Sequence, residues 1–111
     1  MKADISFEEF QKLDLRVGEV VSAERVTGSN NLIRLKVNLG NGFSNRNILS
    51  GIARWYKPEE LTGKKFIFVV NLRPKKIIGE ESQGMILCAD SNHTAIAVEI
   101  NDKIPEGTII R

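Results

Sequence analysis

The chain has 111 residues, 41% apolar and 27% charged, with a formal net charge of +2. That balance excludes wholesale disorder, and the length supports one modest core, expected as a single domain over residues 1–111. No apolar run reaches the roughly 20 residues that cross a bilayer, Met1-Lys2-Ala3-Asp4 opens no secretory pattern, and one cysteine makes no internal disulfide. A cytoplasmic protein with no membrane association is expected.

Ser6-Phe7-Glu8-Glu9 is a capping box, and Phe7, Phe10 and Leu13 follow on one helical face, so a short helix is predicted through about Leu13, plugging one end of a core. From Leu15 the pattern is extended, with Val17, Val20, Val21 and Val26 along a long first strand; Gly18 inside it permits a bulge or sharp coil. Thr27-Gly28-Ser29-Asn30-Asn31 reads as a turn. The second strand alternates cleanly: Ile33, Leu35, Val37 and Leu39 face inward, Arg34, Lys36 and Asn38 outward. Gly40-Asn41-Gly42 turns the chain into a third strand, Arg46 to Ile52.

Lys57-Pro58-Glu59-Glu60-Leu61-Thr62-Gly63 has proline at N1, acids in the first turn and glycine past the end, the marks of a short helical turn. A fourth strand, Lys65 to Leu72, precedes a long polar loop from Asn71 to Met85 with a proline, two glycines and three cations. A loop of that length is a working surface in a small domain, or an ordinary solvated connection. A fifth strand starts at Met85, an extended run covers Ala95 to Ile100, and Thr108-Ile109-Ile110 closes as an edge after the turn at 101–107.

Catalysis finds little support. Cys88 lies in the apolar run Met85–Ala89, as a buried structural thiol does, and His93 sits in a polar turn without companion ligands, so neither metal nor cofactor is expected. Glu59-Glu60 and Glu80-Glu81 read as solvated pairs. Charge is uneven: residues 1–33 sum to −2, residues 34–76 to +8, and residues 77–111 to −4. A basic middle third suits a face for a polyanion if its cations cluster on folding.

Three strands, a helical turn and two more strands is the element order of an OB-fold, an all-β, five-stranded Greek-key barrel, here with a short N-terminal helix and extra C-terminal strands. A sandwich or SH3-like barrel is the alternative. The chain resembles the tRNA-binding domain of methionyl-tRNA synthetase beta subunits and C-terminal regions, of free-standing tRNA-binding proteins and of a monocyte-activating cytokine precursor. The residues that carry the resemblance are Phe10, Leu13-Asp14-Leu15-Arg16-Val17-Gly18, Leu39-Gly40, Ser50-Gly51-Ile52, Tyr56, Pro58-Glu59-Glu60-Leu61 and Gly63-Lys64. It continues in register through Asn71-Leu72, Pro74, Lys76, Gly79 and Ser82-Gln83-Gly84-Met85.

The resemblance implies non-catalytic binding to the outside of the tRNA L by shape, with contacts at Asn71, Lys76, Ser82 and Met85. It also implies a symmetric homodimer joined through the C-terminal portion, and a partnership with methionyl-tRNA synthetase acting in trans. The rival function is that of a protein-binding, secretion-related chaperone of the same fold family. Many members carry a His-Pro-x-Ala-Asp-type sequence where this chain has Thr27–Asn31, so no contact is carried over there. On chemistry alone, Arg34, Lys36, Arg73, Lys75 and Lys76 supply phosphate partners, while Asn71 and Ser82 exchange hydrogen bonds with sugar or base edges. Met85 either offers an apolar surface to a base or begins the fifth strand's core, and Arg16 serves either the site or an internal ion pair. Phe43, Trp55 and Tyr56 are the remaining stacking surfaces, the last two more readily a packing pair.

Overall fold

A computed structural model describes residues 1–40 and 42–111. The helices are α1 (Phe7–Gln11) and α2 (Pro58–Leu61). The first strands are β1 (Leu15–Arg25), β2 (Ile33–Asn38), β3 (Arg46–Ser50) and β4 (Lys65–Val69). Then come β5 (Lys75–Ile77), β6 (Glu80–Ser82), β7 (Met85–Ile86), β8 (Cys88–Ser91), β9 (Thr94–Ala97), β10 (Glu99–Ile100) and β11 (Ile109–Ile110). The turn expected at Gly40-Asn41-Gly42 has Asn41 outside the described residues.

β1 is the spine. Its first half pairs antiparallel with β4 on one side and β11 on the other, and its second half pairs with β2, which pairs with β3. β7 and β10 share the outer edge of β4 end to end. Gln83 bridges the gap between β7 and β3: its amide donates to the Asn47 carbonyl at 2.8 Å, and its Oε1 accepts from the Asn47 amide at 2.9 Å. The result is a nearly closed OB-type barrel around Val20, Leu35, Val37, Ile48, Leu61, Phe66 and Phe68. Gly18 lets the spine lie close to its neighbours, because a Cβ there would sit 2.6 Å from Val37 Cγ1 and 2.7 Å from Phe68 Cδ2. The bulge itself falls later than expected, between Val20 and Ser22.

Strand ends are shorter than the sequence pattern suggests: β3 stops at Ser50 and β4 at Val69. The expected fifth strand divides into β7, which stays on the barrel, and β8, which leaves it to pair with β9. The run Ala95 to Ile100 likewise splits between β9 and β10.

The largest correction concerns α1. Its capping box forms, with Glu9 N donating to Ser6 Oγ at 3.1 Å, but it ends at Gln11 and buries no residue. Phe7 is 67% exposed and Leu13 46%. Helical spacing says which face is apolar and nothing of what covers it. The inward plug is Leu61 of α2, fully buried. Tyr56 packs against the core and accepts from the Ala97 amide at 2.9 Å, so it is a packing residue, not a stacking surface.

Candidate functional site

The stretch from Asn71 to Met85 is not an irregular loop. Its middle folds into a hairpin, β5 paired with β6 through Lys75 with Ser82, Lys76 with Glu81, and Ile77 with Glu80. The two-residue turn, Ile78-Gly79, has positive φ at both positions, 49° and 73°. That is the backbone twist a tight hairpin wants, yet a β-branched side chain is strained in it.

Cross-strand partners share a face. Lys75, Ile77, Glu80 and Ser82 therefore form one side of the hairpin, and Lys76 and Glu81 the other. The first side lies over the outer surface of β2 and β3. Ser82 Oγ accepts from the Leu49 amide at 3.0 Å, and Asn47 Nδ2 donates to the Glu81 carbonyl at 3.0 Å and to Glu80 Oε1 at 3.1 Å. Arg34 reaches the same carboxylate as a fork: Nε donates to Glu80 Oε1, and Nη2 donates to Oε2 at 2.7 Å. Its Nη1 donates to Glu24 Oε1 at 2.8 Å. These charged hydrogen bonds, Arg34 first and then Asn47, hold the Glu80 carboxyl down to about 2, and Glu80 and Glu24 in turn raise the Arg34 guanidinium. Glu80 is thus not a solvated acid but a fastening for the hairpin.

The fastened hairpin walls a hollow of about 510 Å³, lined by Leu49, Leu72, Arg73, Lys75, Ile77, Ser82, Gly84 and Met85. Gly84, at φ 150°, forms part of its floor, where a Cβ would come within 2.8 Å of the Val69 carbonyl oxygen. Leu72 and Met85 stand at its rim, 43% and 46% exposed. Arg73, Lys75, Lys76 and, on the β2 face, Lys36 are exposed and make no ion pair among the described residues.

The residues expected to make contacts thus divide. Lys36, Arg73, Lys75, Lys76 and Met85 present side chains to solvent around the hairpin. Arg34 does not: its guanidinium is taken up by two carboxylates. Ser82 is buried, its hydroxyl accepting from Leu49 and donating to the Gly84 carbonyl at 3.4 Å. Asn71 uses both ends of its amide to hold the chain after α1, accepting from Asp14 N at 2.8 Å and donating to the Lys12 carbonyl at 2.6 Å. All three are engaged in hydrogen bonds that build the site's frame, while Ser82 also lines the hollow and Asn71 is exposed.

Other cations of the basic stretch are spent inside. Arg46 Nη1 donates to the Val70 and Gln83 carbonyls. Lys65 Nζ donates to the carbonyls of Asp102 and Ile104, both at 2.8 Å, and pairs with Glu106 at 3.1 Å, holding that carboxyl below its usual range. Leu49, Leu72 and Ile77 were not anticipated. One signal existed: with Ile48 inward, period-2 alternation turns Leu49 outward, where an exposed leucine on a polar face asks for a cover.

A second groove, of about 470 Å³, lies between Phe7, Phe10 and Leu13 of the α1 region and Ile109 and Ile110 of β11, with Lys12, Asp14, Arg16 and Arg111 at its margins. Arg16 is an internal partner here, donating to Asp14 Oδ1 at 2.8 Å and lying 5.1 Å from the Phe43 ring. Among the described residues no group of three His, Cys, Asp or Glu side chains converges as metal ligands would, and no helix is long and apolar enough to cross a membrane. Cys88 is half-buried, and desolvation pushes its thiol up, away from the reactive thiolate.

Comparison with known proteins is consistent with this geometry. The chain is 48% identical over 110 residues to a methionine–tRNA ligase of Methanothrix thermoacetophila, covering 99% of this chain and 16% of that protein. It therefore spans about one sixth of the length of such curated relatives. A MetRS-related protein from Pyrococcus horikoshii superimposes with a TM-score of 0.94 at 40% identity, covering 99% of this chain and all of that one. The chaperone CsaA from Bacillus anthracis superimposes at 0.86 with 32% identity over 98% of this chain and all of its own. The family described as "Putative tRNA binding domain" matches residues 15–109, and by that match over most of its length the chain belongs to the tRNA-binding-domain family.

Proposed function

We propose that this chain is a non-catalytic tRNA-binding module that reads the folded shape of tRNA, and that it serves a methionyl-tRNA synthetase in trans in the cytoplasm. The carrying observation is the hairpin face. Four cations that make no ion pair among the described residues, Lys36, Arg73, Lys75 and Lys76, stand around a hairpin that fixed hydrogen bonds hold against the barrel. Strands two and three of an OB barrel, with the loop after strand four, form its usual oligonucleotide surface. Folded RNA offers phosphates and 2′-hydroxyls where its base edges are hidden, and cations on a rigid frame suit that display. Tethering tRNA beside an enzyme raises its local concentration without new chemistry.

The module acts as a two-fold homodimer. α1 has an apolar face with no cover in the single chain, and it faces Ile109 and Ile110 across the second groove. A second copy provides that cover symmetrically. The deciding experiment is total-tRNA affinity against salt: log affinity falls linearly with log salt, at a slope of about −2 to −5 for a few phosphate contacts. Salt-independent binding, or a strong preference for one anticodon, defeats the proposal. Similarity to CsaA supports a second reading, binding of extended protein segments, and an apolar peptide competing with tRNA would favour it.

A further inference from the structure

We propose that the hollow under the β5–β6 hairpin takes a single unstacked nucleotide of the RNA, its base seated in the hollow and its phosphate at Arg73 and Lys75. The inference rests on the tRNA-binding reading and deepens it: shape recognition then includes one inserted base.

Three observations carry it. The hollow is built, not incidental: Ser82, Asn47 and the Arg34–Glu80 pair fix its hairpin wall, and Gly84 packs its backbone so close to Val69 and Ile48 that a Cβ would not fit. At about 510 Å³ it falls in the range of small-ligand sites. Its chemistry is divided as a nucleotide is divided. Leu49, Leu72, Ile77 and Met85 give an apolar slot, and the polarizable thioether of Met85 suits a π face. Arg73 and Lys75 line the same hollow, complementary to a phosphate next to the base. An extended apolar peptide has no counterpart for those two charges.

The same geometry sets specificity. Ser82 carries the one hydroxyl in the wall, and it already accepts from Leu49 and donates to Gly84. No neutral side-chain donor or acceptor among the described lining residues is left to read a base edge, so the hollow discriminates little among the four bases. What it selects is the presence of an unstacked base.

The test compares, on the parent protein, an RNA stem–loop carrying one unpaired 2-aminopurine, the same RNA with an abasic residue there, and a blunt duplex of equal length. Removing the base should weaken binding about five- to tenfold, the low end of what base stacking contributes, because the slot is aliphatic. The 2-aminopurine emission should change on binding, and exchanging the base among all four kinds should leave affinity within about threefold. Leu72→Ser with Met85→Ser should lose the same factor on the intact loop and nothing further on the abasic one, a coupling that a mere folding defect does not produce. Both side chains are about half exposed, and Met85→Gln, close in length, serves as a second variant with melting measured on each preparation.

Equal binding of intact and abasic loops, with tRNA binding and its salt slope preserved, overturns the inference and leaves the module's proposed function standing. Failure of all RNAs to bind overturns both. Binding of an apolar peptide that depends on Met85, with RNA affinity unmoved by the same variants, gives the hollow to a protein partner and overturns the inference alone.

Discussion

Two apolar depressions of nearly equal size lie on this barrel, about 510 Å³ beneath the hairpin and about 470 Å³ beside α1. Both have exposed aliphatic or aromatic residues at their edges, so apolar content does not distinguish them. Charge and anchoring do. The hairpin hollow has Arg73 and Lys75 in its lining, with Lys76 and Lys36 nearby. The α1 groove has fewer free cations, Lys12 and Arg111 at its margins, with Arg16 and Asp14 spent on each other. Hydrogen bonds pin the hairpin to β2 and β3, whereas α1 buries nothing. A surface with a polar frame and four spare cations suits a polyanion; an uncovered apolar helix face that buries no residue suits another protein surface.

The strongest way to break this contrast is to discharge the hairpin. Changing Arg73, Lys75 and Lys76 together to Ala should lower total-tRNA affinity about a hundredfold at low salt and make the salt slope shallower by roughly three units. Melting and self-association should stay as in the parent. If assembly also changes, the two faces are not independent.

The converse change is Phe7→Asp with Phe10→Asp, placing charge in the α1 groove. Light scattering should then report one 12.4 kDa chain where the parent gives two. Each hairpin should still bind RNA, with the avidity of a paired site lost. A parent that is already monomeric at micromolar concentration removes the partner we assign to that face.

A milder perturbation sharpens the role of Glu80. Its carboxyl is held at about 2 against an ordinary 4.5, so it contributes stability that is complete above about 4.5 and is lost as pH falls toward 2. Hydrogen exchange should show β5–β6 amides losing protection across that window before the β1–β2 amides do. Glu80→Gln should remove the difference. An acid profile identical in both proteins would show that the hairpin does not depend on Arg34.

The smallest effect sits at the hairpin tip. Ile78 has φ 49° and is 60% exposed, a costly backbone state for a β-branched residue. Ile78→Asn should raise stability by about 1 kcal/mol in denaturant unfolding. If tRNA affinity falls at the same time, the tip is part of the contact.

Much of the barrel was legible. The alternation from Ile33 to Leu39 gave the inward face of β2, and Pro58 with Glu59 and Glu60 marked α2 between the third and fourth strands. The surplus of cations from Arg34 to Lys76 pointed to the surface on which Lys36, Arg73, Lys75 and Lys76 stand exposed. Which of them remain unpaired was not legible, because Arg34 meets Glu80 across 46 residues and Lys65 meets Glu106 across a similar distance. The hairpin was hidden because Ile78-Gly79 lacks the Asn-Gly or Asp-Gly signature and three-residue strands show no period. The structural part played by Ser82 was hidden for a different reason. A hydroxyl in a polar stretch reads as an exposed hydrogen-bonding group, but here it accepts from the amide of an outward-facing leucine, Leu49, and so fixes the frame.

The hairpin's two strands carry opposite signs: Lys75 and Lys76 on β5, Glu80 and Glu81 on β6. Glu80 is already matched by Arg34, so Lys75 and Lys76 face one remaining acid, Glu81, and the hairpin keeps a net attraction for polyanions within a Debye length of about 8 Å. At contact distance the two strands differ further, because they lie about 4.8 Å apart and a phosphate can touch one without the other. The attraction is therefore directional at contact. A nucleic acid gains more by running along the β5 edge than by crossing to β6, so this arrangement sorts polyanions by orientation as well as by charge.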